Sequence, residues 1–202
     1  VFSVGSSQNP GMSIYARCPP LHNSPPSSVF INPPRITGKE WRALLSKWNR
    51  VYNLTAVRDP SAMIVQHLLD SIAIVAPLRR WTGGRPVRVL DVGSGAGLPG
   101  LVIAALLPEI EVSCVDAVGK KAAFVRQVAG ELALQNLHAV HSRVESLAGG
   151  SFDIIVARAF ASLAEFVALT RRHARRGSVW LAMKGLFAAE QVEALPSEIE
   201  EF

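Results

Sequence analysis

The sequence predicts an α/β domain in which a mainly parallel sheet carries helices on both faces. Three observations predict it. From residue 87 onward, short apolar strand-like runs alternate with helix-like stretches at the spacing of strand–helix–strand crossovers. A glycine-rich turn, Gly93-Ser-Gly95-Ala-Gly97-Leu-Pro-Gly100, joins the first strand of that series directly to a helix. The chain has 202 residues, 49% hydrophobic and 18% charged, which gives one domain enough apolar material for a core.

Residues 1–36 hold seven of the 13 prolines and many serines, with no apolar period of 3.6 or 2, and are expected to form a disordered or non-native leader. Order is expected from residue 37 onward, as one unit (37–202) that opens with a helical cap over 37–80. Thr37-Gly-Lys-Glu40 has the form of a capping box, and Trp41, Leu44, Leu45 and Trp48 follow at i, i+3, i+4 and i+7. A second helix starts at Asp59-Pro60 and runs through Met63, Ile64, His67 and Leu68 to Ile72 or beyond. Gly83-Gly84 marks a loop. The α/β core then spans 87–202. Its expected strands are Val87–Asp91, Glu111–Asp116, Leu137–His141, Phe152–Ala157 and Ser178–Met183, with helices over Leu98–Leu107, Gly119–Leu134 and Leu163–Arg172.

Formal net charge is +5 and the isoelectric point is about 9.7. Five acids and no bases fall in the last 13 residues, so the basic character belongs to the body of the chain. Such a balance permits a nucleic-acid partner without requiring one. Two cysteines, Cys18 and Cys114, are too few for a disulfide framework or a cysteine zinc site and read as free thiols in a reducing compartment. No apolar run reaches the ~18 residues of a membrane span, and no secretory signal pattern is present. The expectations are a cytoplasmic monomer with no membrane and no metal.

Two patterns overlap in the glycine loop. Gly95-Ala-Gly97-Leu-Pro-Gly100 matches the dinucleotide fingerprint G-x-G-x-x-G. The wider string Asp91-x-Gly93-x-Gly95-x-Gly97 resembles motif I of the class I S-adenosylmethionine (SAM) methyltransferases, whose loop wraps the methionine end of the cofactor. An acid at the end of the first strand suits a cationic ligand better than a pyrophosphate. Asp116, 19 residues after Gly97, ends the second strand, where a carboxylate can accept from ribose hydroxyls or cap the next helix. Ser142-Arg143-Val144-Glu145 follows the third strand, at the adenine edge of a SAM fold. Arg158 closes the fourth strand at the mouth of the sheet.

Taken together, the strings resemble the bacterial 16S rRNA guanine-N7 methyltransferases, the glucose-inhibited division protein B family. The matching segments are Trp48-Asn49-Arg50-Val-Tyr-Asn53-Leu54-Thr55, Arg58-Asp59-Pro60, His67-Leu68-Leu69-Asp70-Ser71, Asp91 to Gly100, Gly119-Lys120-Lys121, Phe124-Val-Arg126-Gln127, Ser142 to Glu145, Arg158-Ala159-Phe160-Ala161-Ser162-Leu163 and Lys184-Gly185. The resemblance implies a class I SAM-dependent, Rossmann-like methyltransferase acting on a guanine of the small ribosomal subunit. It places Gly93, Leu98, Val144, Glu145 and Arg158 at the cofactor; Gly95 and Gly97 join them from the glycine-loop motif and Asp116 on the ribose argument. The family pattern continues past residue 196 with further strands, so the closing C-terminal strands are expected to be missing and a sheet edge left bare. Alternatives are an NAD-dependent oxidoreductase, allowed by Gly95–Gly100 alone, and a non-catalytic RNA-binding module on the same fold.

Guanine N7 carries an in-plane lone pair that is unprotonated at neutral pH, so no catalytic base is nominated and positioning carries the chemistry. The positioning candidates are Asn53, His67, Asp70 and Lys184; His67 and Asp70 share a helix face at i, i+3. The arginines at 79, 80, 85, 88, 171, 172, 175 and 176 read either as a phosphate-binding surface or as a solvated face.

Overall fold

The computed structural model describes residues 2–3, 13–16, 70–158 and 162–184. Seven strands form one sheet: β1 (Phe2–Ser3), β2 (Ser13–Ala16), β3 (Val87–Val92), β4 (Ile110–Asp116), β5 (Leu137–His141), β6 (Phe152–Arg158) and β7 (Ala174–Lys184). Their spatial order is β1-β2-β7-β6-β3-β4-β5. The five strands β3 to β7 pair in parallel. The described helices are α1 (Asp70–Ala73), α2 (Val75–Thr82), α3 (Gly100–Leu106), α4 (Glu131 at its end, from Gly119) and α5 (Leu163–Thr170).

The parallel strands are apolar on both faces because both faces are covered. In β3, Val87 and Val89 belong to a core shared with α2, α3 and α4 (Leu78, Leu101, Phe124), whereas Leu90 and Val92 belong to a second core with Phe166 of α5. Side chains alternate along a strand, so Asp91 projects with Val87 and Val89 toward α3 and α4. The same parity puts Asp116 with Val112 and Cys114, and Arg158 with Ile154 and Val156, on that face. Three charged residues from three strands thus share one side at one end of the sheet.

Chain progression runs outward from β3 to β4 to β5, then returns to β6 on the other side of β3. The order therefore reverses between β3 and β6, and the crevice at such a reversal, beyond the strand C-termini, is the ligand position of open parallel sheets. At the opposite end, Asp153 closes the bottom of the sheet. It accepts the Arg88 backbone N–H at 2.8 Å and pairs with the Arg175 guanidinium. Arg88 lies over the Phe152 ring, 4.8 Å from its centroid, and donates to the Ser151 carbonyl.

The strand that starts latest in the sequence reading starts earlier in the structure. β7 begins at Ala174 rather than Ser178, with an irregular register against β6 and Gly177 at φ 82°. Ser178 Oγ stitches the irregularity by donating to the Phe152 carbonyl at 2.6 Å and accepting the Arg175 N–H at 2.7 Å. Helix α2 ends at Gly83 in the left-handed conformation, φ 60°, as the Gly83-Gly84 pair predicted. The first cap helix, from Thr37, and the start of the second lie outside the described residues.

One expectation is corrected: the edge of the last strand was expected to be bare. Within the leader, Ser13–Ala16 pairs antiparallel with Leu181–Lys184, and Phe2–Ser3 pairs with β2 in turn. The reason is local: an edge strand offers unpaired N–H and C=O groups, and Ser-Ile-Tyr-Ala is a short segment with strand-favouring residues inside a proline-rich context whose average composition hides it.

Asn136 satisfies backbone groups that a helix end leaves open. Its Nδ2 donates to Ala104 O of α3 at 3.0 Å and to Ile110 O at 2.8 Å. Asn136→Ala is expected to cost about 1–3 kcal/mol, read as a fall of roughly 2–12 °C in melting temperature for a chain of this size.

Candidate functional site

The glycine loop between β3 and α3 has an outer and an inner row. Gly93 and Gly95 sit at φ 66° and 60°; a Cβ on Gly93 would meet nothing within 4 Å, and one on Gly95 only the Gly93 carbonyl at 3.9 Å. The outer row leaves open space that a ligand can enter to backbone contact. Gly97 and Gly100 turn inward. A Cβ on Gly97 would lie 3.0 Å from Val125, and one on Gly100 would lie 2.5 Å from Cys114 Sγ and 2.8 Å from Asp91 Oδ2. The loop is thus clamped to the sheet through its later glycines and open at its earlier ones. Helix α3 starts at Gly100 rather than Leu98, because residues 94–98 form a turn closed by the Leu98 N–H on Ser94 O at 3.0 Å.

Asp91 is the floor of this clamp. It is fully buried; Oδ2 accepts the Gly100 N–H at 2.8 Å and lies 3.8 Å from Cys114 Sγ. Oδ1 has no hydrogen-bond partner. Burial raises its carboxyl to about 7, against the opposing pull of the Gly100 N–H and the Arg158 charge. The sequence argument set this acid beside a cationic ligand; the structure sets it under the loop, where its first role is to hold Gly100. Burial likewise pushes the Cys114 thiol up, and it stays neutral.

Asp116 forms the next wall. Oδ2 accepts the Gly95 N–H at 2.9 Å, with Lys121 Nζ at 3.8 Å, and Oδ1 accepts the Val118 N–H at 2.8 Å. It therefore ties the glycine loop to Val118, the residue just before α4, while α4 itself has no side-chain cap. Each carboxylate oxygen has a second lone pair for a further donor. Val118, 38% exposed, is an apolar side chain standing free beside it. The sequence reading missed Val118; the available signal was an apolar residue between a strand-ending acid and a helix-opening glycine.

Beyond β5, the Ser142 N–H donates to the Asp116 carbonyl at 3.1 Å, and Val144–Ser146 forms a single 3₁₀ turn. Val144 is buried and Glu145 exposed. Arg158 is half-buried at the end of β6; burial lowers its pKa, while the charges of Asp91 and then Asp70 oppose the fall. Asp70 lies in α1 and its charge acts on Arg158, so of the positioning candidates it is the one that the structure brings electrostatically to the site. Leu98 is only 2% exposed and packs in the core, so it seats the loop rather than presenting a side chain to the opening. Lys184 ends β7. Asn53 and His67 lie outside the described residues.

The arginine surface is thinner than the sequence suggests. Arg172 donates to two backbone carbonyls, Arg175 pairs with Asp153, Arg88 caps Phe152, and Arg85 Nε donates to Thr82 O at 2.9 Å. Among the described residues, no group of acids, histidines and cysteines could hold a metal ion, and no helix is long and apolar enough to cross a membrane.

A parallel sheet with a glycine loop at its reversal point and acids at the C-terminal ends of β3 and β4 is the architecture of the class I methyltransferases. A solved structure from Methanococcus maripaludis, described as a candidate SAM-dependent methyltransferase, shares the fold with a TM-score of 0.52 at 15% identity, over 60% of this chain and 58% of that one. The family model for rRNA small subunit methyltransferase G matches residues 38–201. Among curated relatives, "Ribosomal RNA small subunit methyltransferase G" of Methylibium petroleiphilum is 60% identical over 160 residues, covering 79% of this chain and 72% of that protein. The Leptothrix cholodnii protein of the same name is 56% identical over 159 residues, covering 79% and 73%. The chain belongs to the rRNA small subunit methyltransferase G family, and is a methyltransferase rather than an oxidoreductase.

Proposed function

We propose that this chain transfers a methyl group from SAM to N7 of a guanine in 16S rRNA, acting on the small ribosomal subunit in the cytoplasm, with 37–80 as a helical cap over an 87–202 core. The observation that carries the reading is the glycine loop, open at Gly93 and Gly95 and bounded by Asp116 and Val118. These residues fit the cofactor: backbone at Gly93 and Gly95 for the methionine end, remaining lone pairs of Asp116 for the ribose, and apolar Val118 and Val144 with Glu145 toward the adenine. When bound, SAM supplies an electrophilic sulfonium methyl.

The chain's own contribution is placement. Arg158 ends β6 at the edge of the crevice, under the charges of Asp91 and Asp70. Guanine N7 carries a free lone pair, so no residue has to remove a proton before the transfer, and alignment of the base against a bound SAM methyl would supply most of the acceleration. The target base must be in a loop or unstacked to reach a site recessed at the strand ends.

Calorimetric titration with SAM, with NADH as control, tests the cofactor. Saturable SAM binding is expected, and Asp116→Ala is expected to weaken it by at least about tenfold, since it removes charged acceptors shared by the loop and the ligand. Transfer of labelled methyl to small subunits, mapped to a guanine, tests the substrate. A folded chain that binds no SAM overturns the reading.

A further inference from the structure

We propose that Arg172 and His173 are positioning residues that hold the adenosine-side wall of the cofactor site. The inference rests on the cofactor reading above and extends it to two residues well outside the crevice in sequence. They lie in the 3₁₀ turn Arg171–His173, between α5 and β7.

The wall in question is the turn Val144–Ser146. On its own it is poorly held. Its internal bonds are Ser146 N–H on Arg143 O at 3.0 Å and Leu147 N–H on Val144 O at 3.2 Å, the short-range pattern of a 3₁₀ turn, whose geometry is weak. Three further bonds reach it from the Arg171–His173 turn. His173 Nε2 lies 2.9 Å from Val144 O, and since a carbonyl only accepts, the ring donates from Nε2. Arg172 Nη1 donates to Glu145 O at 2.6 Å and Nη2 to Leu147 O at 2.9 Å. A single planar guanidinium thus spans two carbonyls two residues apart, a geometry that lysine cannot reproduce. His173 is 1% exposed, and its Nδ1 has no partner, so the ring tolerates a buried lone pair while holding one carbonyl.

The network continues to the loop. Ser142, two residues before the turn, donates its N–H to the Asp116 carbonyl, and the Asp116 carboxylate accepts from Gly95. Arg172, His173, the Val144–Ser146 turn, Asp116 and Gly95 therefore form one hydrogen-bonded series around the adenosine side. Without the two outer residues, the turn keeps only its weak internal hydrogen bonds and the packing of Val144 in the second core, and the backbone of Val144 and Glu145 loses its fixed distance from Asp116.

The test compares the wild-type chain with Arg172→Ala, Arg172→Lys, His173→Phe and His173→Gln. Dissociation constants for SAM and for 5′-methylthioadenosine are measured well below each variant's melting temperature. Arg172→Ala is expected to weaken both ligands by a similar factor, about tenfold, the scale of one hydrogen bond from a charged donor. Arg172→Lys is expected to recover only part of the loss, and His173→Gln, which keeps a donor near Nε2, to bind better than His173→Phe. A general loss of stability would lower the melting temperature and leave the ligand constants unchanged; that outcome overturns the proposal. Should the alanine and phenylalanine variants fail to fold, the lysine and glutamine variants decide by the same comparison. A wild-type chain that binds no SAM sinks the cofactor reading and this inference with it, whereas wild-type binding with unaltered variants sinks the inference alone.

Discussion

Gly100→Ala will destabilise the chain by about 3 kcal/mol or more, the sum of an overpacked core and a lost buried hydrogen bond. The added Cβ would sit 2.5 Å from Cys114 Sγ and 2.8 Å from Asp91 Oδ2, and 3.1 Å from Val112 Cγ1. Neither strand can retreat, since β3 and β4 are paired to each other through Asp91↔Cys114. The helix start must lift instead, which breaks the Gly100 N–H bond to Asp91 and leaves a fully buried carboxyl with only the weak Cys114 Sγ contact at 3.8 Å. Chemical denaturation measures the loss. Removing the nearest obstacle supplies the control: in the Cys114→Ala background the same substitution should cost markedly less, a coupling that a double-mutant cycle reads directly. Equal costs in both backgrounds would show that the clash with Cys114 is not what makes this position intolerant.

The second large effect is a pH dependence centred on Asp91. Its carboxyl is raised from 3.8 to about 7 by burial. Between those values the folded chain keeps a proton that the unfolded chain has released, so raising the pH favours unfolding. Stability is therefore fully present below about pH 4 as far as this group is concerned, falls across the window, and is lost as pH passes the folded value. The shift corresponds to an order of magnitude of about 4 kcal/mol across the window. Asp91→Asn carries no proton to lose. The difference in stability between wild type and this variant should move in favour of the variant as pH rises from 5 to 8. Denaturation midpoints that track each other over that range would show that Asp91 is not held protonated in the folded chain.

Much of the fold was legible because parallel strands buried on both faces are written as unbroken apolar runs. Val87, Val89, Leu90 and Val92, or Ile154, Ile155 and Val156, need no partner to be recognised. The start of β7 was hidden by Ala174-Arg-Arg-Gly177, whose polar surface belongs to a bulge stitched by Ser178. The loop and its acids were visible as a pattern, but the direction in which Asp91 points depends on strand parity and on what α3 places above it. The arginines were the hardest to read. Arg172 meets carbonyls 27 and 25 residues away, and no composition or spacing rule reports a partner that is a backbone oxygen. Val118 escaped for the opposite reason: a single apolar residue carries meaning only once its exposure is known.

The Asp153 clasp at the lower rim of the sheet has a consequence for how such a chain can diversify. Strand order is fastened there by Arg88, Asp153 and Arg175, far along the strands from the glycine loop, Asp116 and Arg158 at the upper rim. The residues that decide which strand lies beside which are not those that meet a ligand. Above the clamp of Gly100 on Asp91, changes at the exposed residues of the upper rim can alter what is recognised while leaving assembly intact, and errors at the lower rim cost assembly before they cost recognition. A scaffold divided in this way can acquire a new target by revising one edge of its architecture and inheriting the other.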